Sequence, residues 1–217
     1  LSGWSGRRFK QSRTLVSFNP KRFTNFSGLE FGPNGRLYTG VGLQFDAKAS
    51  KRPYANSVIS INRRSGAIRS VATGIRQPWM LTFVSGFNAP FVTDLGQDTP
   101  KGTKAPDFIA HATAGANFGF PSCNWSNVNS CKKRGFKRPS VIFPAADPSP
   151  SPMGISAKGR KLFVALFGSQ KIITTSVKGS KIHDFVTGFV APVLLAHYRG
   201  GYLYMGDLTG QIYRVRV

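Results

Sequence analysis

Acidic residues are scarce in this chain. Eight Asp and Glu stand against thirty Lys and Arg, a formal net charge of +22 at pH 7 over 217 residues. A surplus of that size repels itself and draws polyanions: nucleic acid, acidic polysaccharide, an anionic cell wall or an acidic protein. Long hydrophobic runs are also missing, so no segment reads as a membrane span. Segments of helical period are absent too. The 24 Gly and 14 Pro instead punctuate short apolar runs of period two, the pattern of strands joined by tight turns. Histidine is limited to His111, His183 and His197, which leaves few candidates for a general base. Cysteine is limited to Cys123 and Cys131, joined through CNWSNVNSC. They are read as a disulfide, with two free buried thiols as the alternative. The pairing would restrict the unfolded chain by roughly 2–3 kcal/mol and suits an extracellular or periplasmic setting. Asn25-Phe26-Ser27 and Asn124-Trp125-Ser126 are glycosylation acceptor triplets if the route is a eukaryotic secretory one. The chain begins at Leu1 without Met, as expected of a processed or trimmed product.

The basic residues gather at 7–13, 48–52, 63–69, 132–138 and 158–161, mostly where turns are expected. Lys132, Lys133, Arg134, Lys137 and Arg138 form the candidate anion-binding surface. A solvated rim is the plain alternative. The clusters lack the interleaved aromatics of base-stacking proteins. No helix-turn-helix, zinc-finger or RNA-binding signature appears. An acidic polysaccharide or acidic protein is therefore the expected partner ahead of nucleic acid, with membership of a larger assembly open.

The stretch 73–121 organises the rest. It holds a strand at 79–83, a turn at 85–90, a strand at 91–94, an Asp-Leu-Gly corner and a Gly/Asn/Phe-rich loop. Thr73-Gly74-Ile75-Arg76-Gln77-Pro78 is matched by Thr187-Gly188-Phe189-Val190-Ala191-Pro192. Each precedes two strands that end on an Asp, Asp94 in one copy and Asp207 in the other. Hairpins are expected at 57–62 with 67–72, 153–156 with 161–166, and 171–176 with 181–186. Repeats of about 40–60 residues, each worth four strands, mark a β-propeller, whose blades bury their faces on one another. The expected fold is an all-β propeller of four-stranded blades. Four inner strand pairs give four blades, or five if an irregular segment hides one. Strand 13–18, pairing beside 211–217, would close the ring. Residues 1–12 are expected as a loosely held lead-in to a single domain spanning 13–217.

The segments LEFGPNGRLYTGVG, TGIRQPWMLTF, FVTDLGQD, PDFI, GANFGFPSCNW, SPMGI, KLFVALFGS and GDLTGQIYRV follow one another in an order that resembles the glucose/sorbosone dehydrogenase-type propellers. The resemblance covers roughly residues 26–217 and is nearest the sorbosone dehydrogenase branch. It implies a secreted or periplasmic protein, usually six-bladed, that oxidises sugars with pyrroloquinoline quinone and calcium. It places the cofactor-binding positions at Arg76, Gln77 and Trp79. The calcium-binding carbonyls fall at Gly96 and Gln97, with Asp98, Asp94 and Asp107 nearby. The family's Asn and Gly in the cofactor motif are replaced here by Gln77 and Met80. Its catalytic His matches a position near Thr24, where no His is within reach, and its paired arginines are missing at 193–196.

Quinone-assisted oxidation of a sugar alcohol needs a base for the hydroxyl proton, cations for the cofactor carboxylates and a metal to polarise the carbonyl. The chain offers Arg76, with His111 and Asp94 as the remaining candidates for acid–base work. For the histidines a structural role is the simpler reading. Trp79 reads as core filling or as a stacking platform, and Asp94 as an acceptor for turn amides. Two functions follow. The first is a secreted, basic propeller that has lost the quinone chemistry and binds or scaffolds an anionic polymer or partner protein. The second is an active quinone-dependent sugar dehydrogenase with an atypical site.

Overall fold

In a computed structural model of the chain, residues 2–5, 11–98, 104–189 and 193–217 are described. Arg7, Arg8 and Lys10 of the first basic group, and Val190, Ala191 and Pro192 of the repeated Thr-Gly segment, lie outside the described residues.

The architecture is four successive sheets. Sheet one runs β3 (Phe26–Phe31), β4 (Leu37–Val41), β5 (Ser57–Ile61) and β6 (Ile68–Thr73), from inner to outer strand. Sheet two runs β7 (Pro78–Thr82), β8 (Phe91–Asp94), β9 (Asp107–His111) and β11 (Val141–Phe143). Between β9 and β11 in sequence, β10 (Ala116–Asn117) adds in parallel to β6 of sheet one, tying the two sheets together at their rims. Sheet three is β12 (Pro152–Lys158), β13 (Lys161–Leu166), β14 (Lys171–Ser176) and β15 (His183–Val186). Sheet four is β16 (Val193–Arg199), β17 (Tyr202–Asp207) and β18 (Ile212–Arg216). Inner strands touch in order: β3 on β7, β7 on β12, β12 on β16. No helix among the described residues is long and apolar enough to cross a membrane.

Period-two alternation builds the cores. On β13, Leu162, Val164 and Leu166 enter the core shared with sheet two, while Phe163 and Ala165 enter the one shared with sheet four. On β4, Tyr38 faces sheet two, and Leu37 and Val41 face away from it. β4, β5 and β8 have cores on both faces and are buried along their whole length, their polar side chains included. The repeated Thr-Gly segment has a backbone cause. Gly74 and Gly188 both adopt positive φ, +68° and +82°, which side-chain-bearing residues rarely do.

Two expectations are corrected. The first is the closing strand. Among the described residues β18 pairs only with β17, while β2 (Gln11–Thr14) pairs with β1 (Ser2–Ser5) in a separate two-stranded sheet. Residues 13–18 are not one strand. Leu15, Val16 and Phe18 instead pack on Leu37, Val41, Ile59 and Ile61, the far face of sheet one. The adjacent apolar segment thus covers that face. The second is the absence of helix. A short helix α1 (Val128–Lys133) begins inside the cysteine loop and runs past Cys131, and the side chain of Asn127 caps it by accepting the Ser130 N–H at 2.9 Å. Its six residues are too few for a helical period to register in sequence. Cys123 and Cys131 form the disulfide.

Ile59 is fully buried between sheet one and the 15–18 segment. Ile59→Ala is expected to cost about 2–4 kcal/mol, read as a lower urea midpoint with unchanged slope. A cost under about 0.5 kcal/mol would mean that the amino-terminal segment does not seal this face.

Candidate functional site

The ends of β4, β8 and β9 and the start of β7 bring one cation and four carboxylates together. Arg76 precedes β7 and is buried, its side chain 7 % exposed. Its guanidinium pairs with the Asp46 carboxylate, donates to the Asp46 carbonyl at 3.1 Å and to the Leu95 carbonyl at 2.9 Å, and lies 3.5 Å from Asp98. The Arg76 carbonyl accepts from the Asn56 amide at 2.8 Å. Asp94 closes β8 opposite Pro78 and accepts the Gln77 N–H at 2.6 Å. Asp107 opens β9 and accepts the Gly96 N–H at 2.7 Å, the Ser149 hydroxyl at 2.6 Å and the Ser151 N–H at 2.8 Å. Gln77 accepts the Leu43 N–H through its side-chain oxygen.

Around this cluster lies a cavity of about 390 Å³, lined by Arg76, Gln77, Gly96, Gln97, Asp98, Lys104, Asp107, Ser149 and Ser151, among others. A larger groove of about 1020 Å³ adjoins it through Leu43. It is mostly apolar, lined by Phe18, Phe23, Phe26 and Leu29, with Arg52 as its charged residue. The smaller cavity carries the chemistry, because Arg76, Asp98, Lys104 and Asp107 converge on it.

Sequence reading brought Arg76, Gln77, Asp94, Gly96, Gln97 and Asp98 together, and the structure does the same. Trp79 is half-buried in β7, the inner strand of sheet two. Thr24, where the resemblance puts a catalytic base, donates its hydroxyl to the Gly42 carbonyl at 2.8 Å. His111 is elsewhere. It stands at the opposite end of β9 from Asp107, about 13 Å along the strand. Its ring stacks on Phe91 at 4.5 Å and meets Phe87 edge-on at 5.2 Å. Burial lowers its pKa, and Lys137 adds to the effect. Its Nε2 is buried and has no hydrogen-bond partner among the described residues. His183 and His197 are exposed. Lys132, Lys133, Arg134, Lys137 and Arg138 are all exposed around the end of α1. Arg134 lies over the Phe136 ring at 5.3 Å. Asn25 is exposed and Asn124 half-buried.

Asp46, Asn56, Ser149 and Ser151 were missed. Asp46 had a signal: it is an acid at the head of a basic loop, in a chain where acids are rare. The serines had none, because they reach Asp107 across more than forty residues of sequence. The two repeat aspartates also divide. Asp207 accepts from Thr209 in the following turn, as an Asx turn does. Asp94 reaches back to the segment before β7 instead.

No family model matches the sequence, and no curated protein sequence matches it. Solved structures do match. The PQQ-bound aldose sugar dehydrogenase of Streptomyces coelicolor superposes with a TM-score of 0.70 at 18% identity, over 88% of this chain and 62% of that one. The soluble aldose sugar dehydrogenase of Escherichia coli, in its apo form, gives 0.64 at 20%, over 90% and 65%. The PQQ domain of Coprinopsis cinerea pyranose dehydrogenase gives 0.68 at 10%, over 89% and 71%. The chain has the fold of the sugar dehydrogenases. It spans less than two thirds of the length of the bacterial aldose sugar dehydrogenases it matches.

The fit of a quinone and a metal can be tested on these atoms. Arg76 would be the cation for a cofactor carboxylate, but its guanidinium is already shared by two carboxylates and two carbonyls. The Gln97 carbonyl, a candidate metal ligand, accepts the Ala105 N–H at 3.0 Å. No group of three or more His, Cys, Asp or Glu suited to a metal occurs among the described residues. The donor set is turned inward, on itself.

Burial raises the Asp94 pKa to about 7, against the opposing pull of the Gln77 N–H and Arg76. Folding therefore holds a proton that the unfolded chain gives up above pH 3.8. The stability this group contributes is full below that value and is lost as pH rises through about 7. Asp94→Asn keeps an oxygen for the Gln77 N–H and removes the titration. The expected result is a melting temperature that varies less between pH 4 and 8 than in the parent. An equally steep decline in the variant would assign the pH dependence to another group.

Proposed function

We infer that this chain is a sugar-dehydrogenase-type propeller acting as a binding or scaffolding module, with an anionic polymer or acidic protein as its partner. The observation that carries the reading is the state of Arg76. A cation meant to receive a cofactor carboxylate should face the cavity with donors to spare. Here it is neutralised by Asp46 and lies 3.5 Å from Asp98. The placement of the expected bases supports the same reading. Thr24 holds the matching position, His111 stands at the far end of its strand, and Asp94 is 1% exposed and does not line the 390 Å³ cavity. The polyanion partner is supported by the formal +22 charge and by five exposed cations at the end of α1 and just after it, directly following the disulfide-bonded Cys131. The disulfide also favours a compartment outside the cytosol.

A second reading, an active quinone-dependent sugar or aldose dehydrogenase, is favoured by the fold likeness and by the 390 Å³ cavity at Arg76. When bound, the quinone would supply a two-electron acceptor for the sugar. Reconstitution with pyrroloquinoline quinone and calcium separates the two readings. No sugar-dependent dye reduction is expected. Turnover that Arg76→Ala abolishes would overturn the non-catalytic reading.

The polyanion partner has its own measurement. The protein should be retained on a sulfated polysaccharide column at moderate salt. Charge reversal at Lys132, Lys133, Arg134, Lys137 and Arg138 together should move elution to lower salt. An unmoved elution position would remove this loop from the interaction.

A further inference from the structure

Charge is sorted between the two ends of the sheets. Asp46, Asp94, Asp98, Asp107, Asp147 and Asp207 all lie at the end where the loops after the second and fourth strands run. Asp184, on β15, is held by Lys171 at 2.8 Å, and Glu30 is half-buried on β3. The opposite end, made of the short turns within each hairpin, carries cations. In sheet three the β12–β13 turn carries Lys158, Arg160 and Lys161, and the β14–β15 turn carries Lys178 and Lys181, all exposed. Arg199, also exposed, ends β16 at the same end. None of these six is in an ion pair among the described residues.

These cations form a track. Lys158 pairs with Lys161 across β12 and β13, and Lys161 with Ser176 across β13 and β14, so the two turns stand about 10 Å apart. Inward, the Tyr198 N–H donates to the Ser156 hydroxyl at 2.6 Å, which fixes β16 against β12. Lys158 lies over the Tyr198 ring at 5.9 Å, and Arg199 is the next residue. Arg160 turns the other way, over the Phe87 ring at 5.6 Å. Outward, the β14–β15 turn rests on sheet two. A Cβ on Gly179, whose φ is +76°, would meet the Ser140 carbonyl oxygen at 2.7 Å, so the close approach depends on glycine. Two residues before Ser140 stands Arg138, the last cation of the 132–138 group. From Arg138 through Lys178 and Lys161 to Arg199 the track spans on the order of 20–30 Å.

We propose that this track binds a linear acidic polysaccharide laid across the hairpin-turn end of sheet three. The inference rests on the polyanion reading and names the class of polymer and its path. The cations follow a line, as the charges of an extended chain do. Their spacers are small and polar: Gly159, Gly179, Ser180 and Gly200. Protein interfaces bury apolar and aromatic anchors at their centre. Among the described residues Ile182, 47% exposed, is the one exposed large apolar side chain beside the track. Phe87 and Tyr198 each have a face covered by a cation. Lys158 and Arg160, held over those rings, lose less freedom on binding than free side chains do. A hydrated chain of sulfates or carboxylates fits such a surface, and an acidic protein fits it less well.

The experiment uses the 217-residue chain and sulfated oligosaccharides of one repeat in two lengths, a disaccharide and a chain long enough to cover the track. Calorimetry at physiological salt should show saturable binding of the long chain and about tenfold weaker binding of the disaccharide, which reaches one turn at a time. Lys161→Gln, Lys178→Gln and Lys181→Gln together should weaken the long chain about tenfold, with the melting temperature unchanged. Lys21→Gln, Lys48→Gln and Lys51→Gln remove the same charge at the loop end of the sheets and should change affinity by less than about twofold. Equal losses in the two triple variants would show attraction by net charge and overturn the proposal. Unaltered binding by the first variant would overturn it too, and would leave the polyanion on residues 132–138. Preference for polyglutamate over the sulfated chain would also overturn it while keeping an acidic protein as partner. Only failure to bind every one of these polyanions would remove the polyanion reading as well.

Discussion

A sheet with two apolar faces must have something on each side. That constraint governs this molecule more than any single contact. β13 shows it most plainly, sending Leu162 and Val164 one way and Phe163 and Ala165 the other. Four sheets in a row then share three inter-sheet cores, and two outer faces remain to be dealt with. Sheet one solves the problem locally, by drawing Leu15, Val16 and Phe18 onto Leu37, Val41, Ile59 and Ile61. Sheet four leaves Leu208 62% and Ile212 75% exposed. Sheet one draws on the apolar segment that directly precedes β3.

The second constraint is electrostatic, and the scarcity of acids sharpens it. A buried guanidinium is costly unless it is paired and fully hydrogen-bonded. Arg76 meets that demand with Asp46 and the Leu95 carbonyl. Asp94 and Asp107 serve the same region differently, by accepting backbone N–H groups that fix the corner between β8 and β9. Half of the chain's acids are thus committed to one end of sheets one and two. Most of the surface is left to uncompensated cations. The high net charge and the self-contained site are two views of one allocation.

Much of this was legible in the sequence, and the parts that were not share a physical cause. The hairpin β5–β6 could be read from NSVISINRRSGAIRSVA, because its pairing is set by local alternation and one turn. The repeat of Thr73-Gly74 in Thr187-Gly188 announced equivalent backbone corners, and both glycines do adopt positive φ. The cluster at Arg76 was half visible, since Gln77, Asp94 and Asp98 lie close to it in sequence. What failed needed long-range information. Residues 13–18 have enough apolar character for a strand, but their place was decided by which face lacked cover. Asp46 joined Arg76 across thirty residues, and Ser149 joined Asp107 across forty-two. α1 is too short for its period to be read.

The site and the surface differ in what a ligand must overcome. An anion approaching Lys132 or Arg138 meets exposed side chains and displaces only water and counterions. An anion approaching Arg76 must compete with carboxylates already present. The two are unequal. Asp46 makes the tight pair and is partly sheltered, its side chain 38% exposed; Asp98 stands 3.5 Å away and is 88% exposed. Exposed pairs contribute little and are surrendered at small cost. The contact with Asp98 is therefore the weaker of the two, and Asp46 is the partner that keeps the guanidinium neutralised.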